Sequence, residues 1–181
     1  MGRGKVYPAS AARHLLNPLR RLVQPPSRTV RRMSLSADDR VLELGSGPGW
    51  FSPSLARAVP RGSLTLCDLQ PAMLEEAARR TAAFANVECV VADAGDLPFG
   101  DGAFDAVLLA TVLGEVPDPI GCLLEVERVL THGGAVTVCE TRRDSDFTRL
   151  ADLTELAGAV GLQPGRRHGP AWEYTVRFVK P

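Results

Sequence analysis

This 181-residue chain is poor in the residues that build the simplest kinds of site. Its four cysteines (Cys67, Cys89, Cys122, Cys139) are widely scattered and form no CxxC pair, which argues against a thiol zinc cluster and a disulfide scaffold alike. Three histidines, His14, His132 and His168, are too few and too dispersed to suggest a metal centre, so no metal is expected. No run approaches the ~18 consecutive apolar residues that a membrane-spanning helix needs. No internal repeat or low-complexity segment occurs. What is present is an ordinary globular composition, 45% hydrophobic with 17 Gly and 14 Pro, at a length suited to one domain in a reducing cytosol.

The net charge is zero, from 21 basic and 21 acidic residues, but it is unevenly spread. Residues 1–33 carry eight Lys or Arg and no acid, which leaves a balance of minus eight on the remainder. We expect residues 1–36 to form a basic arm that packs over an acidic body, residues 37–181, as a lid. Leu15, Leu16, Leu19, Leu22 and Val23 give the arm a helical apolar stripe. An arm of this composition also suits an anionic membrane surface, a nucleic acid or an organelle transit peptide.

Beyond the arm, short apolar runs alternate with amphipathic stretches. Strands are expected at 40–44, 63–67, 87–91, 104–110, 135–140, 163–168 and 172–179, with helices over 50–58, 71–83, 120–130 and 147–160. The alternation predicts an α/β fold: a Rossmann-like, doubly wound, mostly parallel seven-stranded sheet with helices on both faces and an antiparallel last strand. In such a sheet, ligands sit beyond the carboxyl ends of the strands, so residues that carry chemistry should fall there.

The run Val41-Leu42-Glu43-Leu44-Gly45-Ser46-Gly47-Pro48-Gly49-Trp50 meets that requirement. Its glycines permit a tight strand-to-helix turn and let a ligand lie against main-chain N–H groups. A phosphate-binding P-loop is excluded because no Gly-Lys-Ser/Thr follows, and the third glycine of a dinucleotide fingerprint is replaced by Trp50. Asp68 ends the second strand, where a carboxylate can accept hydrogen bonds from two ribose hydroxyls, and Asp93 follows the third. Taken singly, each of these is also the ordinary residue of a tight turn.

Glu43-x-Gly-x-Gly-x-Gly, followed in order by Asp68, Val91-Ala92-Asp93-Ala94, Phe104-Asp105-Ala106-Val107 and Arg128-Val129-Leu130-Thr131-His132-Gly133-Gly134, resembles the class I S-adenosylmethionine-dependent methyltransferases over residues 40 to about 140. Leu97-Pro98-Phe99 ahead of Phe104-Asp105 is similar to the ubiquinone/menaquinone-biosynthesis group. The resemblance implies methyl transfer from S-adenosyl-L-methionine to a small, quinone-like acceptor. It implies cofactor contacts from Glu43, Gly45, Ser46, Gly47, Gly49, Asp68, Leu69, Asp93, Ala94 and Thr111, with Leu69 and Leu97 flanking the adenine. Tyr7, His14, Glu115 and Glu140 are candidate bases. Asp105 is expected to anchor the fourth strand, His132 to face solvent, and Cys67, Cys89 and Cys139 to be small core residues. Thr111-Val112-Leu113-Gly114 stands where a nucleic-acid methyltransferase would carry an Asn/Asp-Pro-Pro-Tyr-type motif, so no stable nucleic-acid partner is expected. A nicotinamide-dependent oxidoreductase and a non-catalytic binding module that uses the basic arm are the competing readings.

Overall fold

The structure, a computed structural model, describes residues 25–144 and 146–181. Tyr7, His14 and the apolar stripe from Leu15 to Val23 lie outside the described residues. Among the described residues, five helices, α1 (Pro26–Met33), α2 (Ser52–Ala58), α3 (Pro71–Thr81), α4 (Pro119–Val129) and α5 (Leu150–Ala159), accompany seven strands. The strands are β1 (Arg40–Leu44), β2 (Ser63–Asp68), β3 (Val87–Val91), β4 (Phe104–Ala110), β5 (Leu130–Thr141), β6 (Gln163–His168) and β7 (Glu173–Val179). They form one sheet in the order β3-β2-β1-β4-β5-β7-β6. The first five run parallel to one another, and β7 is antiparallel to both β5 and β6. This is the fold class expected from the alternation of elements. The strand order reverses between β1 and β4, which puts the ligand crevice of such a sheet above those two strands.

The period-two pattern of β1 explains the two layers. Val41 packs with Leu64, Leu66 and Leu108 beneath α1, α2 and α3, through Val30, Met33, Leu55, Leu74 and Ala77. Leu42 and Leu44 face the opposite way, with Val107, Leu109, Val136 and Val138 against Leu123 and Val126 of α4 and Leu153 and Ala157 of α5. Helices α1 to α4 each carry Pro in the first turn, where the missing N–H costs no helical hydrogen bond. Asp118 caps α4 by accepting from the Gly121 N–H at 3.0 Å.

Two clamps at the amino ends of the strands hold the sheet in register. Arg40 pairs with Asp105 at 3.0 Å, tying the start of β1 to that of β4, and Thr131 adds a longer contact to Asp105. The β3–β4 connection has no helix. Instead Arg128 of α4 pairs with Glu125 and Asp101 and donates to the carbonyls of Leu97 and Phe99, while the Phe99 and Phe104 rings meet edge to face at 5.0 Å.

Several expected boundaries shift. Strand β5 starts at Leu130, directly after α4, because a register irregularity between Phe104 and Ala106 absorbs the Gly133-Gly134 turn that was expected to separate them. The helices expected from 50 and 147 begin at Ser52 and Leu150. Cys67 and Cys139 are buried as expected, whereas Cys89 is exposed. The reason is that β3 is the edge strand and its helix-free connection to β4 leaves much of it uncovered. His132 faces solvent beside the Pro181 carbonyl. Helix α1, which the sequence reading did not place, ends on Ser34 in the left-handed conformation. Among the described residues, no helix is long and apolar enough to cross a membrane.

Candidate functional site

The glycine-rich turn leaves β1 at its carboxyl end and is held there by the neighbouring strand. The N–H groups of Gly45 and Ser46 both donate to the Cys67 carbonyl, at 2.8 and 3.0 Å. Gly47 N–H donates to Asp68 Oδ2 at 2.8 Å, and Gln70 N–H donates to the other carboxylate oxygen at 2.9 Å. Each oxygen keeps a lone pair for a further donor. Burial pushes the Asp68 carboxyl up from its ordinary range, and these backbone donors pull it back.

The turn is threaded through a narrow gap. Gly45 has φ +69°, and a Cβ there would collide with the Val112 side chain just after β4. Gly49 has φ +78°, and a Cβ there would stand 3.0 Å from the Ala77 backbone in α3. Only glycine satisfies both the left-handed φ and the close approach, so the main chain itself forms the surface offered to a ligand.

Glu43 lies on the same face of β1 as Val41, beneath the turn. It is fully enclosed and accepts from Ser52 Oγ at 2.6 Å. Burial raises its pKa to about 8, the Ser52 hydrogen bond opposes that rise, and the Asp68 charge adds to it. Glu43 is therefore a neutral support for the turn, facing α2 rather than the crevice.

Asp93 and Ala94 follow β3. Asp93 Oδ1 accepts from the Gly95 N–H at 2.8 Å, and Asp93 bridges to Asp96 as a tight exposed turn. The Asp93 charge also acts on Cys67, the residue before Asp68, so this turn stands next to the end of β2. Leu69 is 49% exposed above it, whereas Leu97 is 4% exposed in the core and offers no open face. Of the two residues expected to flank an adenine, only Leu69 is available. On the other side of the turn, Thr111 adopts φ +57°, a strained value for a β-branched residue, and its N–H donates to the Cys139 carbonyl at 2.9 Å.

The expected residues thus cluster at the carboxyl rim of β1, β2, β3 and β4, with Glu43 under the turn. Glu115 follows β4 and its N–H donates to the Val112 carbonyl at 2.9 Å. Glu140 is the penultimate residue of β5, 2% exposed, and burial raises its pKa to about 8 against a hydrogen bond from the Thr148 N–H. Two further residues at this rim, Arg28 and Arg32 of α1, did not stand out in the sequence. Their signal was a Pro-initiated segment with arginines four apart on one helical face.

The sequence profile of the methyltransferase domain matches residues 42–138, more than half of the chain. The chain belongs to the methyltransferase-domain family. It is 40% identical over 112 residues to a demethylmenaquinone methyltransferase of Clavibacter sepedonicus, covering 62% of this chain and 45% of that protein. It is 37% identical over 115 residues to the demethylmenaquinone methyltransferase of Staphylococcus aureus strain JH9, covering 63% and 48%. The chain therefore spans about half the length of these curated relatives. Its fold is that of a SAM-dependent methyltransferase from Aquifex aeolicus, at a TM-score of 0.89 and 19% identity, over 97% of this chain and 100% of that one.

For a class I methyltransferase the fit to S-adenosyl-L-methionine can be tested on the geometry above. The bare backbone of the glycine turn, the half-used Asp68 carboxylate and the open face of Leu69 suit an amino acid nucleoside. Buried Trp50 stands where a pyrophosphate-binding fingerprint needs its third glycine.

Proposed function

We propose that this chain transfers the methyl group of S-adenosyl-L-methionine to a small acceptor with a hydrophobic, quinone-like ring. The observation that carries the reading is the Gly47–Asp68 clamp at the strand-order reversal, which offers a bare backbone turn and a carboxylate side by side. When bound, the cofactor supplies a methyl carbon made electrophilic by its sulfonium.

The chain's own residues then bind, orient and exclude water. Gly45, Ser46, Gly47 and Gly49 hold the methionine portion against the turn, supported by Glu43 from below. Asp68 accepts the ribose hydroxyls. Leu69 covers the adenine, and Asp93 with Ala94 meets its edge. Thr111 borders the sulfonium. Since displacement at the methyl carbon needs mainly proximity and alignment, the protein's largest contribution is positional. A base is required only where the acceptor must lose a proton, and among the described residues Glu115 and Glu140 are the candidates. The quinone-like acceptor is supported by the names of the relatives and by apolar Val112 and Leu113 after β4. Residues 1–36 serve as the cover over the acceptor, and their positive charge suits an anionic membrane surface where a hydrophobic acceptor dissolves.

Replacing Asp68 by Ala tests the cofactor assignment. Two charge-assisted hydrogen bonds are lost, so affinity for S-adenosylhomocysteine by calorimetric titration should fall by at least about tenfold while the circular dichroism spectrum is kept. Unchanged affinity in the folded variant would sink the assignment.

A further inference from the structure

A cavity of about 250 Å³ lies between α1 and the β5–β7 rim, lined by Arg28, Thr29 and Arg32 on one side and by Glu140, Tyr174 and Thr175 on the other. Thr111 at the rim of the crevice is hydrogen-bonded to Cys139, the residue before Glu140 of the cavity lining.

Three features of its lining ask for a ligand. First, Glu140 Oε1 is buried with no hydrogen-bond partner among the described residues, an arrangement that costs free energy unless something donates to it. The other oxygen has only a long contact, 3.5 Å, from the Thr148 N–H, and the Tyr174 hydroxyl is spent on the Thr148 carbonyl at 2.7 Å. Second, the Arg28 guanidinium has no hydrogen-bond or ion-pair partner among the described residues. Arg32 donates one N–H to Thr175 Oγ1 at 3.1 Å and keeps its other donors. Third, of the two carboxyls that line the cavity, Glu140 and Glu173, burial pushes Glu140 up to about 8; the Thr148 N–H opposes that rise, and the nearby charges of Asp144 and Glu115 add to it. Glu140 therefore repels an anion less than an ordinary glutamate does. Glu173 on the rim disfavours the second negative charge of a phosphate, so the anion suited to the cavity is a carboxylate.

We propose that this cavity binds the polar end of the methyl acceptor, a hydroxy acid whose carboxylate lies against Arg28 and Arg32 and whose hydroxyl donates to Glu140 Oε1. The inference rests on the methyl-acceptor reading above and adds an acidic group to it, which a neutral quinol lacks.

The full chain is titrated calorimetrically with salicylate, which carries both groups, and with phenol and benzoate, which carry one each. Each titration is run with and without S-adenosylhomocysteine. Salicylate should bind at least about tenfold more tightly than either single-group probe. The double variant Arg28→Gln/Arg32→Gln should erase its advantage over phenol and leave S-adenosylhomocysteine affinity unchanged. Glu140→Ala should erase the advantage over benzoate, and Glu140→Gln, which keeps an acceptor oxygen, should retain most of it. Salicylate binding no tighter than phenol, or unaffected by the arginine substitutions, overturns the proposal. Failure of S-adenosylhomocysteine to bind overturns the cofactor assignment instead and leaves the salicylate series to decide this one.

Discussion

Two enclosed carboxyls, Glu43 and Glu140, make the protein's stability depend on pH in an unusual direction. In the folded chain both are raised to about 8, from 4.5, by desolvation. A raised acid favours the folded state in its protonated form. Its contribution is complete below about pH 4.5 and is lost as pH climbs through 8. Carboxylates held low by arginine, such as Asp105 and Glu125, act in the opposite sense and only below their ordinary range. Stability should therefore peak in mildly acidic solution and fall from pH 5 to 8.5, each buried carboxyl contributing a slope of up to about 1.4 kcal/mol per pH unit. Urea midpoints measured across that range check it. Glu43→Gln keeps an oxygen for the Ser52 hydroxyl and removes the charge, so it should flatten the decline and raise the midpoint at pH 8. A midpoint independent of pH in the parent chain contradicts this account.

At the level of elements, the turn after β1 is fixed by two separate constraints that substitution can pull apart. Gly45→Ala imposes a left-handed φ on alanine and drives its Cβ into Val112. The expected loss is about 2–4 kcal/mol, from strain of roughly 1 kcal/mol plus overpacking. Val112→Ala opens the gap, so the double variant should recover about 1–2 kcal/mol and retain the φ cost, a coupling read from a double-mutant cycle in urea. Additive losses would mean that the collision is relieved by movement elsewhere. The turn was legible in the sequence because the glycines stand between an apolar run and a Pro-bearing helix start, and the strands were legible from period-two and fully apolar runs. Helix α1 was not, since its apolar side is only Val30 and Met33 among arginines. Leu97 and Cys89 were misplaced for one reason: the β3–β4 connection is stapled by Arg128 instead of covered by a helix, a tertiary arrangement that local pattern does not reveal. The cavity beside Glu140 was equally hidden, because it joins residues more than a hundred positions apart.

On the scale of the whole molecule, α1 ties an early segment of the described chain to its last strand. It inserts Val30 and Met33 into the layer shared with α2 and α3, and Arg32 reaches Thr175 near the carboxyl terminus. The same helix supplies the cationic wall of the cavity, so docking of α1 and binding of an acidic acceptor are one equilibrium. Replacing Val30 and Met33 by Ala removes buried apolar groups and leaves Arg28 and Arg32 in the sequence. The expected loss is about 3–6 kcal/mol if α1 unfolds only with the sheet, measured by urea denaturation. If α1 opens on its own, the global midpoint shifts less and native-state proteolysis cuts within 26–33 before the sheet unfolds. Either way, salicylate should protect the parent chain from that cleavage and lose its effect in the double variant, because the arginines are then no longer held at the cavity. Protection that persists in the variant would separate the helix from the cavity and remove the coupling.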